Sequence, residues 1–281
     1  MPDAPHTPRE ARRSSRGRPV AVPGGRRHAA SPPNNLPSEL SSFVGREKEL
    51  AEVGRLLGDT RLLTLTGPGG CGKTRLAVEA AGELVEGFED GVWQVELASL
   101  ADPALVPRAV ASTLGVREGP DRPLTAILSE HLRARELLLV LDNCEHLIEA
   151  CADLSEALLR SCPGLRVLAT SREALGIVGE VAWPVPSLSL PDLRRLPEVE
   201  GLARYESARL FVERAAAVKP DFALTERNAA SVAQVCYRLD GIPLALELAA
   251  ARAKVLPVEQ ISVRLDDCFG LLAGGGRTAM P

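Results

Sequence analysis

The sequence predicts an α/β protein, a five-stranded parallel sheet with helices on both faces, followed by a small all-α unit. Three observations lead there. Short apolar or β-branched runs recur at residues 62–66, 92–97, 137–141, 165–170 and 181–183, with helical periodicity between most of them. The third, Leu137-Leu138-Leu139-Val140-Leu141, is apolar throughout, as a parallel strand buried on both faces requires. Strand signals then cease near Leu190, and the chain beyond that point has only helical periodicity. An interior drawn mainly from Leu, Ala and Val, with 3% aromatic residues, fits this class better than an all-β one.

In chain order, residues 1–37 hold eight of the 22 prolines and seven Arg against Asp3 and Glu10. With little to bury, they read as a disordered basic tail, either a plain solvated leader or an arm that touches nucleic acid or acidic partners. Order is expected from about Leu40. Ser42 is placed to cap a helix whose Leu50, Val53 and Leu57 share a face.

The first strand runs directly into Gly67-Pro68-Gly69-Gly70-Cys71-Gly72-Lys73-Thr74-Arg75. This is G-x-x-x-x-G-K-[ST] between a strand and a helix, the setting of a phosphate-binding loop. Its glycines let successive N–H groups face one centre, and the following helix adds the positive end of its dipole. Lys73 is expected to reach the β and γ phosphates, and Thr74 to offer its hydroxyl to Mg²⁺.

Leu76, Ala77, Ala80 and Leu84 continue that helix. Further helices are expected over residues 102–114, around Leu124, Leu128 and Leu132, and along Leu147, Cys151, Leu154 and Leu158 up to Pro163-Gly164. The central apolar strand ends in Asp142-Asn143, and an acid at the carboxyl end of a buried strand sits where open α/β sheets bind ligands. Asp142 is therefore the expected Mg²⁺-holding acid, directly or through water. In the second unit, helices are expected over 205–216, after Thr225 as cap, from Pro243 to about Lys254, and over 258–268. The expected domains are the tail (1–37), a nucleotide-binding α/β domain (38–196) and a helical domain (197–281).

Composition narrows the partners. Beyond residue 37 the chain carries 26 basic and 35 acidic side chains, which disfavours direct nucleic-acid binding by the folded part. Six cysteines without a C-x-x-C pair indicate neither a zinc site nor a disulfide framework, and fit a reducing compartment. The sequence holds neither a secretory apolar core behind its N-terminal Arg residues nor an 18-residue apolar run, so a cytoplasmic protein without a membrane partner is expected. Cys71 reads as a small loop residue or as a redox-sensitive thiol. Trp93 and Trp183 read as packing residues, and His146 as an exposed residue at a helix start.

The ordered words SSFVGREKEL, LLTLTGPGGCGKTRLA, VWQVELASLADPALV, LLLVLDNCEHL, RVLATSREALGI and LDGIPLALELAAARAKVL span Ser41 to about Pro281. Together they resemble the STAND-class NTPases, specifically the NB-ARC-like ATPase module of bacterial transcriptional regulators of the LuxR and antibiotic-regulator type. The resemblance implies an ATP/ADP switch in which ADP holds a closed state, ATP exchange opens it, and attached domains read the change. It implies that Val44, Gly45 and Arg46 lie along the adenine, that Arg172 senses the γ-phosphate, and that Pro243 packs on the nucleotide from the helical domain.

Two features depart from the family pattern. Asn143 stands where many relatives have a second acid, so hydrolysis is expected to be slow unless Glu145 substitutes; the plain alternative for Glu145 is a helix-start acid. The chain also ends about where a winged helix would begin, so output and sensor domains, or a partner protein, lie beyond the sequence, and DNA is reached only through them. Nucleotide-dependent oligomerisation is compatible with the resemblance. The competing reading is a free-standing P-loop ATPase or a small-molecule kinase.

Overall fold

The computed structural model describes residues 32–38 and 40–265. The remainder of the expected tail and the end of the expected last helix lie outside the described residues. In order, the elements are α1 (Glu47–Asp59), β1 (Leu62–Thr66), α2 (Lys73–Glu83), β2 (Val92–Glu96), α3 (Val106–Thr113), α4 (Leu124–Leu132), β3 (Leu137–Asp142), α5 (Ile148–Ser161), β4 (Leu165–Ser171) and β5 (Glu180–Pro184). Then come α6 (Val199–Leu202), α7 (Glu206–Val218), α8 (Ala229–Arg238) and α9 (Pro243–Ala250), and residues 258–265 are again helical.

The five strands form one parallel sheet in the order β2-β3-β4-β1-β5. Because successive side chains of a strand face opposite ways, the apolar runs divide between two cores. Leu137, Leu139 and Leu141 join Val167 and Ala169 beneath α3, α4 and α5. Leu138 and Val140 join Leu63, Leu65 and Leu168 beneath α1 and α2. Each leucine buried this fully contributes about 1.5–3 kcal/mol, so the continuous run through β3 is a physical requirement of its central place. A third core unites α7, α8 and α9, and it also takes in Val44 and Leu188 from the segments that lead into the two halves.

Three local expectations differ in detail. Ser42 does not cap α1: Arg46 occupies the N-cap in the left-handed region (φ 70°), and the Ser42 hydroxyl donates to Glu213. The helix expected over 102–114 opens as a 3-10 turn, Pro103–Leu105, and becomes α-helical only at Val106. Thr225 is not the cap of α8; it precedes a turn in which its N–H donates to Asn228 Oδ1, and Asn228 stands at the N-cap.

Residues 32–37, assigned to the tail by their proline content, instead run along the outer edge of β2. Val92 N–H donates to Pro33 O (3.1 Å), and the Asn35 carboxamide both donates to Gln94 O (2.8 Å) and accepts from Gln94 N–H (2.7 Å). An amide side chain thus does the work of a strand backbone and covers part of a sheet edge otherwise open to pairing. Gly91 permits the approach, because a Cβ there would lie 1.8 Å from Pro33 O.

Candidate functional site

The parallel register brings the carboxyl ends of β1, β3 and β4 side by side. Leu141 pairs with Ala169, which sets Asp142 beside Thr170, and Thr66 pairs with Ser171. The loop leaving β1 places Gly67, Gly70 and Gly72 at φ 147°, 79° and 92°, a region that L side chains rarely enter, so these positions call for glycine. Chain direction then reverses into α2, whose N-terminus carries no side-chain cap.

Lys73, 7% exposed, turns its ammonium onto the loop's own Gly67 O (2.8 Å) and Pro68 O (3.1 Å). Beside it, Asp142 Oδ1 accepts from Thr74 Oγ1 (2.7 Å) and from Thr170 Oγ1 (2.6 Å), and Thr170 Oγ1 in turn accepts from Asn143 N–H (2.9 Å). Lys73, Thr74 and Asp142, predicted to act together, thus stand together. Among the described residues no group of three or more His, Cys, Asp or Glu could cage a metal. One carboxylate with two hydroxyls is nevertheless the hard oxygen set that suits Mg²⁺, which keeps waters and completes its shell with phosphate.

Asn143 is left-handed (φ 64°) and starts a 3-10 turn, Cys144–His146, that carries Glu145 back across the end of β4. Glu145 Oε1 lies 3.4 Å from Arg172 Nε, while its Oε2 is buried without a hydrogen-bond partner. Arg172 is 69% exposed at its side chain and reaches the rim of the loop: a Cβ on Gly69 would be 4.0 Å from its Nη2.

The segment Val44-Gly45-Arg46 joins the loop to the helical unit. Arg46 is 4% exposed; Nη2 donates to Cys71 O (3.0 Å), and Nη1 is 3.9 Å from Glu49. Burial lowers the Arg46 pKa below its ordinary value, against the opposing pull of Glu49 and Glu206. Arg46 N–H donates to Glu206 Oε1 (2.7 Å), and Ser189 N–H donates to Glu206 Oε2 (2.9 Å). Burial alone would raise the Glu206 carboxyl, but the hydrogen bonds from Arg46 and Ser189 and the Arg46 charge hold it below the usual value.

From the same unit, Leu244 N–H donates to Gly70 O (3.2 Å), and a Cβ on Gly72 would meet Pro243 Cγ at 3.7 Å. Arg75 extends sideways, donating to Ser42 O (2.8 Å) and lying over the Phe43 ring at 5.9 Å. Between these groups is a cavity of about 40 Å³ lined by Phe43, Val44, Arg46, Arg75 and Pro243, among others.

Thr170 and Glu206 are the two members that sequence reasoning did not single out. Thr170 carries a signal, since it stands two residues before Arg172 at a strand end; Glu206 is one acid among many at helix starts. Cys71 is buried (2% exposed) against Gly67, which fits a packing role. Trp93 and Trp183 are partly buried against the two sheet cores, and His146 Nε2 lies 2.8 Å from Leu100 O.

Comparison with known proteins agrees with this geometry. A family profile described as an AAA domain matches residues 57–178. An uncharacterized protein of Mycobacterium tuberculosis is 43% identical over 241 residues, covering 86% of this chain and 58% of that protein. A protein of the same species described as an HTH-type transcriptional regulator is 44% identical over 225 residues, covering 80% of this chain and 24% of its own. Regulatory protein AfsR of Streptomyces griseus is 28% identical over 247 residues, or 82% of this chain and 23% of AfsR. The chain therefore spans about three-fifths of the first of these relatives and about a quarter of the regulators.

Among solved structures, a signal transduction ATPase with numerous domains (STAND) from Pyrococcus horikoshii, which carries a tetratricopeptide-repeat sensor, aligns with TM-score 0.51 and 15% identity over 83% of this chain and 33% of that one, a likeness of fold. No helix among the described residues is long and apolar enough to cross a membrane. Residues 57–178 are thus a P-loop domain of the AAA type, and the chain is an ATPase-fold module related by sequence to AfsR-type and HTH-type transcriptional regulators.

Proposed function

We propose that this chain is a regulatory switch that binds ATP and ADP with Mg²⁺ and hydrolyses ATP slowly, serving as the NTPase module of a bacterial signal-transducing transcriptional regulator. The observation that carries the reading is the grip of the helical unit on the phosphate loop, where Leu244 N–H is bonded to Gly70 O. A nucleotide that moves the loop must move α9 with it or break that bond, which is what makes bound phosphate legible at a distance. Lys73 would bind the β and γ phosphates, Thr74 and Asp142 would hold Mg²⁺, and the segment from Val44 to Arg46 with Pro243 would enclose the base. Arg172 would distinguish ATP from ADP. Domains outside this sequence would carry DNA binding and signal reception.

The purified protein is expected to retain ADP and to turn over ATP far below the roughly 1–100 per second of kinases. Lys73→Ala should abolish retention, measured by chromatography of the nucleotide released on denaturation; unchanged retention would remove the loop from the site. Rapid turnover by the isolated chain would favour the free-standing ATPase or kinase.

A further inference from the structure

We propose that Glu145 is the general base of ATP hydrolysis in this protein, held by Arg172 until the γ-phosphate draws that arginine away. The inference rests on the proposed nucleotide binding and adds a residue to it. Asn143, next to the Mg²⁺-side Asp142, has no lone pair basic enough to take a proton from water. Its left-handed backbone nonetheless starts the turn that brings Glu145 round to the end of β4.

Glu145 does not serve as the helix-start acid of α5. That helix opens at Ile148, with Glu149 in its first turn, and a three-residue 3-10 turn has almost no dipole to balance. Its carboxylate pairs instead with Arg172, whose guanidinium reaches both the Glu145 carboxylate (3.4 Å) and the Gly69 rim of the phosphate loop (4.0 Å to a Cβ there). Glu145 Oε2 is buried with no donor to it. A carboxylate oxygen left in that condition is destabilising in a purely structural role, and it leaves the carboxylate with unused acceptor capacity.

Arg172 is well placed to exchange partners. At 69% exposure its pairing with Glu145 is weakly stabilising, whereas a phosphate dianion offers a stronger, bidentate partner. Once it turns to the γ-phosphate, Glu145 accepts a proton from the attacking water as the water oxygen bonds to Pγ. The bond between Pγ and the β–γ bridging oxygen breaks, and its electron pair stays on ADP. Glu145 then passes the proton to solvent or to the departing phosphate. The same arginine that senses ATP thereby releases the base, so hydrolysis is confined to the ATP-bound state.

The test is Glu145→Gln in the full chain, which keeps the side chain's size and removes its basicity. Turnover is expected to fall by about 10²-fold or more, while ADP affinity stays within about threefold of the parent. After loading with Mg-ATP, the nucleotide recovered from the variant is expected to be ATP where the parent yields ADP. Glu96→Gln, the other acid paired in register with Asp142, should leave both readouts unchanged. Turnover within threefold of the parent in Glu145→Gln overturns the assignment, as does an ADP affinity that falls in parallel with turnover. If the parent retains no nucleotide, the binding reading itself fails; if it retains nucleotide without hydrolysing it, only the role of Glu145 fails.

Discussion

Replacing Glu206 with alanine removes two carboxylate bonds at the start of α7, one across to Arg46 N–H at 2.7 Å and one to Ser189 N–H at 2.9 Å. A hydrogen bond to a charged group is worth about 1.5–3 kcal/mol, and partial exposure of the carboxylate lets water replace some of it. The expected loss is therefore about 2–4 kcal/mol, and the share carried by the Arg46 bond couples the two units. Urea unfolding followed at two wavelengths separates the contributions. Trp93 and Trp183 are the only tryptophans and both lie on strands of the sheet, whereas far-UV dichroism is dominated by helices in both units. The parent is expected to give coincident transitions, and the variant a helical transition at lower urea.

The dependence on pH is fixed by the sign of the shift. The Glu206 carboxyl is held below its reference value of 4.5, so its contribution is complete above that pH and is lost as pH falls through the depressed value. The stability gap between parent and variant should be constant from pH 7 to about 5 and narrow in more acid solution. A loss below about 0.5 kcal/mol with coincident transitions, against the worth of bonds to a charged group, would refute the idea that this carboxylate couples the units.

Two further substitutions probe the site. Gly70→Ala places a methyl group 2.9 Å from Leu244 Cβ at φ 79°; fluorescent ADP titration should show an affinity loss of tenfold or more as α9 is pushed off the loop. Thr170→Val preserves shape but removes the hydroxyl between Asp142 and Asn143 N–H; the Mg²⁺-dependent part of nucleotide affinity should shrink, at a stability loss of about 1–3 kcal/mol for the unpartnered N–H.

The sheet was legible because burial on both faces leaves an unmistakable mark: an unbroken apolar β3 cannot be a surface strand, and the glycine loop fixes the elements on either side of it. Lys73, Thr74 and Asp142 were legible for the same reason, since each sits at a fixed offset from a strand end. The contacts between segments distant in sequence were not. Glu206, Leu244 N–H and Asn35 act through backbone groups or through partners more than fifty residues away, and nothing in local composition distinguishes them from solvated neighbours. Proline content misled at residues 32–37, because proline excludes the segment from a central strand but not from the rim of one.

Four carbonyls of the phosphate loop meet fixed partners: Gly67 and Pro68 the loop's own Lys73, Gly70 the Leu244 N–H, and Cys71 the Arg46 guanidinium. That leaves the loop's shape under the control of the helical unit and of the segment at Arg46. The cavity between them, about 40 Å³, is far smaller than the roughly 300–1,000 Å³ of ordinary ligand sites, so a nucleotide base can enter there only if the units part. Parting them breaks the bond from Arg46 N–H to Glu206 and that from Leu244 N–H to Gly70 O, at about 2–4.5 kcal/mol for one bond to a charged group and one between backbone groups. The bonds re-form when the units close on a bound nucleotide, so the cost falls on entry and exit, which it slows by about 30- to 2,000-fold. An attached domain or a partner that eases this parting therefore speeds exchange, while the closed units, with Pro243 against the loop, hold what is bound. Control of exchange then resides in α7 and α9, and the phosphate loop responds to them.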